Sequence, residues 1–425
     1  MNDDFSGKKI LVTGGTGCIG SRLVEKIHRK YETTIRVLVR DLSRAPRIAR
    51  LPVEIVSGDV VSKPDVERAM EGCDLVFHCA YGNRGDREFR RRVTVEGARN
   101  VVEAASEAGV ERLVHVSTLS VYGHPPDGDL DETAPKRHSD SDYANSKLEA
   151  EKTVFRLSRK LGLPFVVVQP TVVYGPDAPS WTVYILNQLR SGRVVLVNGG
   201  DGLCNAVYID DVVNALVLAG SEERALGEAF LISADEPITW SKFFWGFEGI
   251  LGIQRTVIMT ADQARHYSKE VRRRQSLSRQ LFRLLYERPQ LLGSVLKSRG
   301  FDVLSSLARP SMKELARTFV ENLSGGKRNS DRFGDASTEP WIHPWDSWAI
   351  RRFESKVRVR IDKAKRLLGY RPAFTFETGI ELTGQWARWA RLVGDEGSLK
   401  EGMQGSIFGP HDSSLGHVAL PARRS

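Results

Sequence analysis

The sequence predicts an α/β protein: a doubly wound parallel sheet with a smaller, mostly helical lobe attached. Three observations carry that expectation. Runs that are apolar on both faces alternate with amphipathic stretches through the first half. A β-branched run ending at Thr13 feeds glycines at i, i+3 and i+6 (Gly14, Gly17 and Gly20), and a helical pattern follows. Beyond Gly175-Pro176 the alternation fades, and residues 236–394 read as mostly helical.

The elements follow in order. Lys9 to Thr13 is the first strand, and Ser21 to Lys30 has the spacing of a helix. Thr34–Val39, Val53–Val56, Leu75–Cys79, Leu113–Val116 and Phe165–Val168 are strand candidates, with helices at Gly97–Ala108 and Asn145–Leu161 between them. These build a first domain over 6–175. A helix at Val183–Ser191, a strand at Val194–Val197 and a glycine-rich loop at 198–202 come next. Ala206–Ile209 returns to β character, Asp210 caps a helix running to Gly220, and 206–235 rejoin the first domain. The lobe then comprises 176–205 and 236–394. Residues 324–340 read as a mobile loop and 395–425 as a flexible tail.

With 425 residues, 41% hydrophobic and 27% charged, the chain has the composition of a globular protein with room for two domains. No apolar run reaches membrane-spanning length, and the acidic Met1-Asn2-Asp3-Asp4 does not resemble a secretion signal. Cys18, Cys73, Cys79 and Cys204 lack metal-ligand spacing, so no metal is expected and a reducing cytoplasm is. The net charge of +9 comes without a zinc finger or RNA-binding signature, so no nucleic-acid partner is expected.

The glycine loop, set between a strand and a helix, is the context in which a dinucleotide pyrophosphate binds. Only glycine allows so tight a turn and so close an approach of phosphate to a helix N-terminus. A second signal is Ser117-Thr118 at a strand end, followed by Tyr143-Ala144-Asn145-Ser146-Lys147. On a helix, i and i+4 put Tyr143 and Lys147 on one face.

In this order the motifs resemble the extended short-chain dehydrogenase/reductase family, which includes nucleotide-sugar epimerases and dehydratases. Thr13–Gly20 is similar to its cofactor loop, Gly58-Asp59-Val60 to its adenine-contacting turn, and His78-Cys79-Ala80 to its fourth-strand end. Val116–Gly123, Gln169–Pro176, Ile209–Val212, Ile361–Ala364 and Leu368–Pro372 match later motifs. The resemblance implies a Rossmann sheet. It also implies cofactor contacts at Gly14, Thr16, Gly17, Cys18, Ile19, Gly20, Arg40, Asp59, Val60, Cys79, Ala80, Lys147, Pro170 and Val173. The chemistry implied is hydride transfer at nicotinamide C4. Tyr143 would be the acid/base, Thr118 (or, less well placed, Ser117) would bond the reacting oxygen, and Lys147 would hold the nicotinamide ribose. A phenol titrating near 10 must come down by roughly 3 pH units, about 4 kcal/mol, to work as a base near neutrality. A cation at roughly 4 Å and an effective dielectric near 20 supplies about that much; if Lys147 sits farther off, the positive nicotinamide ring must supply the remainder.

The second strand ends Leu38-Val39-Arg40, with Asp41 and Arg44 after it. An arginine there grips a 2′-phosphate and favours NADP, while Asp41 on a ribose hydroxyl would favour NAD. Where many nucleotide-sugar members carry Arg-Asp before Ile209, this chain has Cys204-Asn205. Leu119-Ser120 replace the Asp-Glu that follows the catalytic threonine in sugar 4,6-dehydratases. The second departure argues against dehydration by that route. Asn205 resembles the branch acting on hydroxysteroids, flavanonols and other ketones or alcohols. A hydrophobic or lipid-linked small-molecule substrate would go with membrane contact by the basic segment over 265–299. Arg193, Arg351 or Arg352 binding a pyrophosphate would keep an epimerase reading open.

Residues 262–350 exceed the family's small lobe. Between Arg265 and Arg299 the bases outnumber the acids, and Leu277, Leu281, Leu284, Leu285, Leu292 and Leu296 fall near helical spacing. That segment reads as a lid or dimer helix, with peripheral membrane contact over 265–299 as the alternative. Trp341, Trp345 and Trp348 are candidates for an apolar pocket or for core anchors. The resemblance implies a homodimer. The first functional expectation is thus an NADP-preferring alcohol–ketone oxidoreductase, and the second an epimerase that retains its NAD. The third is a non-enzymatic scaffold.

Overall fold

The computed structural model describes residues 5–287 and 341–393. The expected loop at 324–340, the tail at 395–425 and the 288–299 end of the basic segment lie outside the described residues.

The chain opens with β1 (Lys9–Thr13), α1 (Cys18–Lys30), β2 (Thr34–Val39), α2 (Pro46–Ala49), β3 (Glu54–Ser57), α3 (Lys63–Met70), β4 (Leu75–His78) and α4 (Arg87–Glu107). β5 (Arg112–Val116), β6 (Gly128–Leu130), α5 (Asp142–Leu161), β7 (Phe165–Pro170) and β8 (Val172–Tyr174) follow. Next come α6 (Tyr184–Ser191), β9 (Arg193–Val197), β10 (Leu203–Cys204), β11 (Ala206–Tyr208), α7 (Ile209–Ser221), β12 (Ala229–Ile232), β13 (Ile238–Thr239) and α8 (Trp240–Leu251). β14 (Thr256–Met259), α9 (Ala261–Glu287), β15 (Ile342–His343), α10 (Ser347–Glu354), β16 (Val357–Val359) and α11 (Phe376–Trp389) complete the described chain.

Seven strands form one sheet in the order β12-β7-β5-β4-β1-β2-β3, every neighbour parallel. Alternate residues of each strand feed opposite cores. Leu11, Val76, Leu113 and Val167 face α3, α4 and the Ala150–Leu157 side of α5. Ile10, Val12, Phe77, Val114 and Val168 face α1 and α7. Burial on both sides explains why these strands read as continuous apolar runs. A bidentate ion pair from Arg22 to Asp210 (2.6 and 2.8 Å) joins α1 to α7. Asp210 is therefore not a cap: α7 starts one residue earlier behind Tyr208, and Asp210 in its first turn serves the ion pair.

A second core gathers Trp240, Phe243, Phe244, Phe247, Trp345 and Phe353. This part of the molecule is mostly helical, as expected, but it also carries short strands. β14, β9 and β15 make a three-stranded parallel sheet, because Arg193–Val197 is buried and apolar at four of its five positions. Trp345 anchors that core, its indole donating to the Val195 carbonyl at 3.0 Å, whereas Trp348 lies on a cavity wall. The basic segment begins as α9, whose Ala264 and Val271 are buried and whose Arg265 pairs with Asp262 and Glu354. The side chains of its expected leucine stripe lie outside the described residues. No helix among the described residues is long and apolar enough to cross a membrane.

Candidate active site

The site lies along the carboxyl edge of the large sheet, where β1, β4, β5 and β7 end. At the first of these ends, Gly14 adopts φ 71°. A Cβ on it would come within 2.6 Å of the Ala80 nitrogen, and one on Gly20 within 2.3 Å of the Gly14 carbonyl. Both positions thus require glycine to bring β1, α1 and the end of β4 together. Gly17 caps α1 with no side chain over the first-turn N–H groups. This cradle fits a dinucleotide pyrophosphate, since bare N–H groups and a helix N-terminus face the position a diphosphate would take. Thr16, Cys18 and Ile19 are half-buried along it, as are Cys79 and Ala80 opposite. Burial pushes the thiols of Cys18 and Cys79 up to about 12, so both remain protonated and unreactive.

At the end of β2, the Arg40 guanidinium lies 3.6 Å from an Asp59 oxygen and 5.6 Å from the Phe89 ring centre. Asp41 turns the other way, accepting from the Ser43 backbone (3.1 Å) and hydroxyl (2.6 Å). Those bonds hold its carboxyl below the usual range. Val60 is buried, and its carbonyl accepts from Asn100 at 2.9 Å. Pro170 and Val173 end the β7–β8 path, buried and half-buried.

Tyr143, Lys147 and Glu151 fall one turn apart on α5, which Ser141 caps by accepting from the Ala144 N–H. Tyr143 sits edge-on to Tyr81, with ring centres 5.9 Å apart. Burial, then the Tyr81 hydroxyl, pushes its phenol up to about 12, against a hydrogen bond with Thr118 and the charge of Arg352. Solvent still reaches 43% of the residue, so water offsets part of that desolvation until a substrate covers it. Lys147 is buried and donates to the Val116 carbonyl at 2.5 Å. Burial lowers its ammonium to about 8, opposed by Glu151 and Cys79.

The electrostatic expectation for this pair is therefore corrected. Helical spacing places Tyr143 and Lys147 on one face, but the lysine side chain runs to the end of β5. The cation acting on the phenol is Arg352, from α10. Its Nη2 donates to Ser120 Oγ at 3.1 Å, and Ser120 in turn lies 3.5 Å from Thr118 Oγ1. Ser117, weighed as the alternative to Thr118, donates instead to the buried Glu151, which Lys136 and Gln169 also bind. Asn205 is likewise committed to structure: it donates to the Val357 carbonyl and accepts from the Val359 N–H, both at 2.9 Å.

Next to this constellation lies a cavity of about 270 Å³, walled by Leu119, Ser120, His124, Trp240, Trp348 and Arg352 among others. Tyr81, Glu151 and the placement of Arg352 at Ser120 escaped sequence reasoning. Glu151 was within reach of it, lying eight residues after Tyr143 on the same helical face; Arg352 carried no local signal. Among the described residues no His, Cys, Asp or Glu cluster could hold a metal ion.

A 2-alkyl-3-oxoalkanoate reductase from Shewanella oneidensis is 32% identical over 54% of this chain and 63% of its own length. A mouse sterol-4-alpha-carboxylate 3-dehydrogenase (decarboxylating) is 30% identical over 58% of this chain and 68% of its own. The chain thus spans less than two thirds of the first of these relatives. In fold it is similar to a UDP-glucose 4-epimerase from Thermotoga maritima (TM-score 0.60, 20% identity, 90% of this chain and 99% of that one). Residues 10–233, more than half of the sequence, match the model of one family. On that match the chain belongs to the NAD dependent epimerase/dehydratase family.

Proposed function

We propose that this protein is an NADP-preferring oxidoreductase that interconverts a ketone and a secondary alcohol on a bulky small molecule. The observation that carries this reading is the meeting of Tyr143 and Thr118 at the end of β5, in line with the glycine cradle at the end of β1. The relatives named as a reductase and a dehydrogenase support it.

When bound, the nicotinamide supplies or accepts the hydride at the carbon bearing the oxygen. The protein's residues do the rest. Gly14, Gly17 and Gly20 would seat the pyrophosphate. Lys147, which donates to the Val116 carbonyl, would bond the nicotinamide ribose. Thr118 and Tyr143 fix the reacting oxygen, and Tyr143 delivers a proton as the carbonyl is reduced or takes it back as the alcohol is oxidised. A phenol that stays protonated at neutral pH is a proton donor in waiting, which favours reduction.

Support for NADP comes from the end of β2, where Arg40 is half-exposed and Asp41 is occupied with Ser43. Calorimetry of NADP and NAD against wild type and Arg40→Ala tests it. We expect NADP to bind more tightly, and Arg40→Ala to lose roughly 10- to 100-fold in NADP affinity while NAD changes little. Tighter binding of NAD, or turnover in which reduced coenzyme is never released, would put the epimerase reading first.

A further inference from the structure

We propose that the protein carries a second ligand site, separate from the catalytic one, that takes a phosphate monoester on an apolar body. The site is a cavity of about 660 Å³ walled by Arg190 on α6, Arg388 on α11, Arg391 just after it, and Arg255 just before β14. It shares no lining residue with the cavity beside Thr118. Arg190 and Arg255 lead into the amino ends of β9 and β14, which run parallel. The catalytic cavity is lined instead by Leu203 and Asn205, which follow the carboxyl end of β9. The proposal therefore stands whichever reaction the catalytic site performs.

Two observations carry it. The first is charge without a partner. Among the described residues none of the four guanidinia makes an ion pair or a hydrogen bond, although Arg255 and Arg388 are half-buried. Glu248, the acid bonded to this segment, accepts instead from the backbone N–H groups of Arg255 and Thr256, at 2.5 and 2.6 Å. The wall also collects the last turns of α6, α8 and α11, through Arg190, Leu251 and Arg388. Each helix end is worth about half a negative charge, so the four guanidinia exceed those ends and Glu248 together by about one and a half charges. A phosphate monoester carries about 1.5 to 2 negative charges near neutral pH.

The second is an arginine where glycine is usual. The Leu392 N–H donates to the Ala387 carbonyl and the Arg391 N–H to that of Arg388, both at 2.9 Å, which closes α11 in a Schellman turn. The residue that must turn left-handed there is Arg391, at φ 54°. After α5 and α8 the left-handed residue is Gly162 or Gly252. A β-carbon makes that conformation costly, and arginine has no short polar side chain to offset it locally. What the chain gains is a fourth guanidinium on the cavity wall. Guanidinia fork phosphate oxygens in pairs. The rest of the wall selects the body: Ile253 and Leu392 are aliphatic and pack on the second core, so hydrocarbon beside the phosphate is buried against them. Such a head occurs on soluble phosphate esters and on phosphatidic acid.

The test is calorimetry on the full chain saturated with coenzyme, which fills the glycine cradle. Hexyl phosphate, hexyl sulfate and inorganic phosphate are titrated into wild type, Arg255→Gln/Arg388→Gln and Arg391→Gly. Flotation with phosphatidylcholine vesicles holding phosphatidic acid or phosphatidylglycerol tells a lipid headgroup from a soluble phosphate. Hexyl phosphate is expected to bind wild type roughly 10-fold more tightly than hexyl sulfate, which has the same tail and a single charge. It should also bind roughly 10-fold more tightly than inorganic phosphate, which lacks the tail. The double variant should lose roughly 10- to 100-fold in hexyl phosphate affinity and keep its coenzyme affinity. Arg391→Gly separates binding from folding, because relief of the left-handed strain should raise the melting temperature while hexyl phosphate binding weakens. Flotation with phosphatidic acid alone, lost in the double variant, would assign the site to a lipid headgroup, and calorimetric binding without flotation to a soluble phosphate. Absence of both, or binding indifferent to the variants, would overturn the inference. So would a lower melting temperature in Arg391→Gly with binding intact, since the arginine would then only close a helix. Binding that appears only in Asp395→Asn/Glu396→Gln would overturn it too, by giving the arginines to the chain's own acids.

Discussion

Tyr143, Lys147 and Glu151 occupy one stripe of α5 yet meet three environments: a cavity mouth, the end of a β-strand and a buried polar network. The Tyr143–Lys147 part of the stripe was legible in the sequence because helical spacing is local. What each side chain does with its charge was not, because that depends on strands brought in from elsewhere. The phenol, pushed up to about 12 in the free protein, stays protonated through neutral pH. Carbonyl reduction uses the protonated form, so its rate should hold from pH 6 to neutrality. Alcohol oxidation needs the phenolate and should rise as pH climbs. Removing the hydroxyl in Tyr143→Phe should cost roughly 10²- to 10⁴-fold in kcat and leave coenzyme affinity within about twofold, since no cradle contact is touched. Steady-state rates in both directions, with coenzyme titrations of the variant, check this. A Phe variant with near wild-type turnover would remove Tyr143 from the reaction.

At the scale of elements, the sequence reading did best where neighbours in sequence are neighbours in space. The glycine loop, its strand and its helix were all visible, and so was the alternation that builds the large sheet. It did worst in the second core, where β14, β9 and β15 pair across long stretches of chain and no turn signal links them. Asn205 shows how an element-scale role hides in a motif position. Taken from sequence as a mark of substrate class, it holds β16 by supplying a donor and an acceptor in place of a strand neighbour. β16 directly follows α10, so the same clamp steadies the helix that carries Arg352. In Asn205→Ala the Val357 carbonyl and the Val359 N–H lose their buried partners. Each such loss costs about 1–3 kcal/mol, so a destabilisation of about 2 kcal/mol or more is expected. Urea unfolding with an unchanged m-value would measure it, and a loss below about 0.5 kcal/mol would show that water or backbone shifts replace the clamp.

For the molecule as a whole, the centre of the sheet carries a weakness to acid. His78 on β4 and His115 on β5 are register partners with ring centres 5.2 Å apart, both almost fully buried. His78 bonds Thr13 at 2.7 Å through Nδ1, while neither ring nitrogen of His115 finds a partner among the described residues. Burial, with the nearby Lys147 charge, lowers His78 to about 3 and His115 well below its ordinary value. The sign follows directly. A base depressed in the folded state favours folding above its unfolded pKa. Below 6.5 the unfolded chain takes the proton and the native sheet does not, so stability falls with pH until the native imidazole itself titrates. The slope approaches about 1.4 kcal/mol per pH unit for each imidazole. His115→Phe removes one of the two while keeping an aromatic ring in the core. Melting temperatures from pH 7.5 to 4.5 should fall less steeply for the variant than for wild type, with the two curves diverging progressively below pH 6.5. Parallel curves across that range would mean that the histidine pair takes up protons without unfolding, through water or a charged partner reaching the sheet.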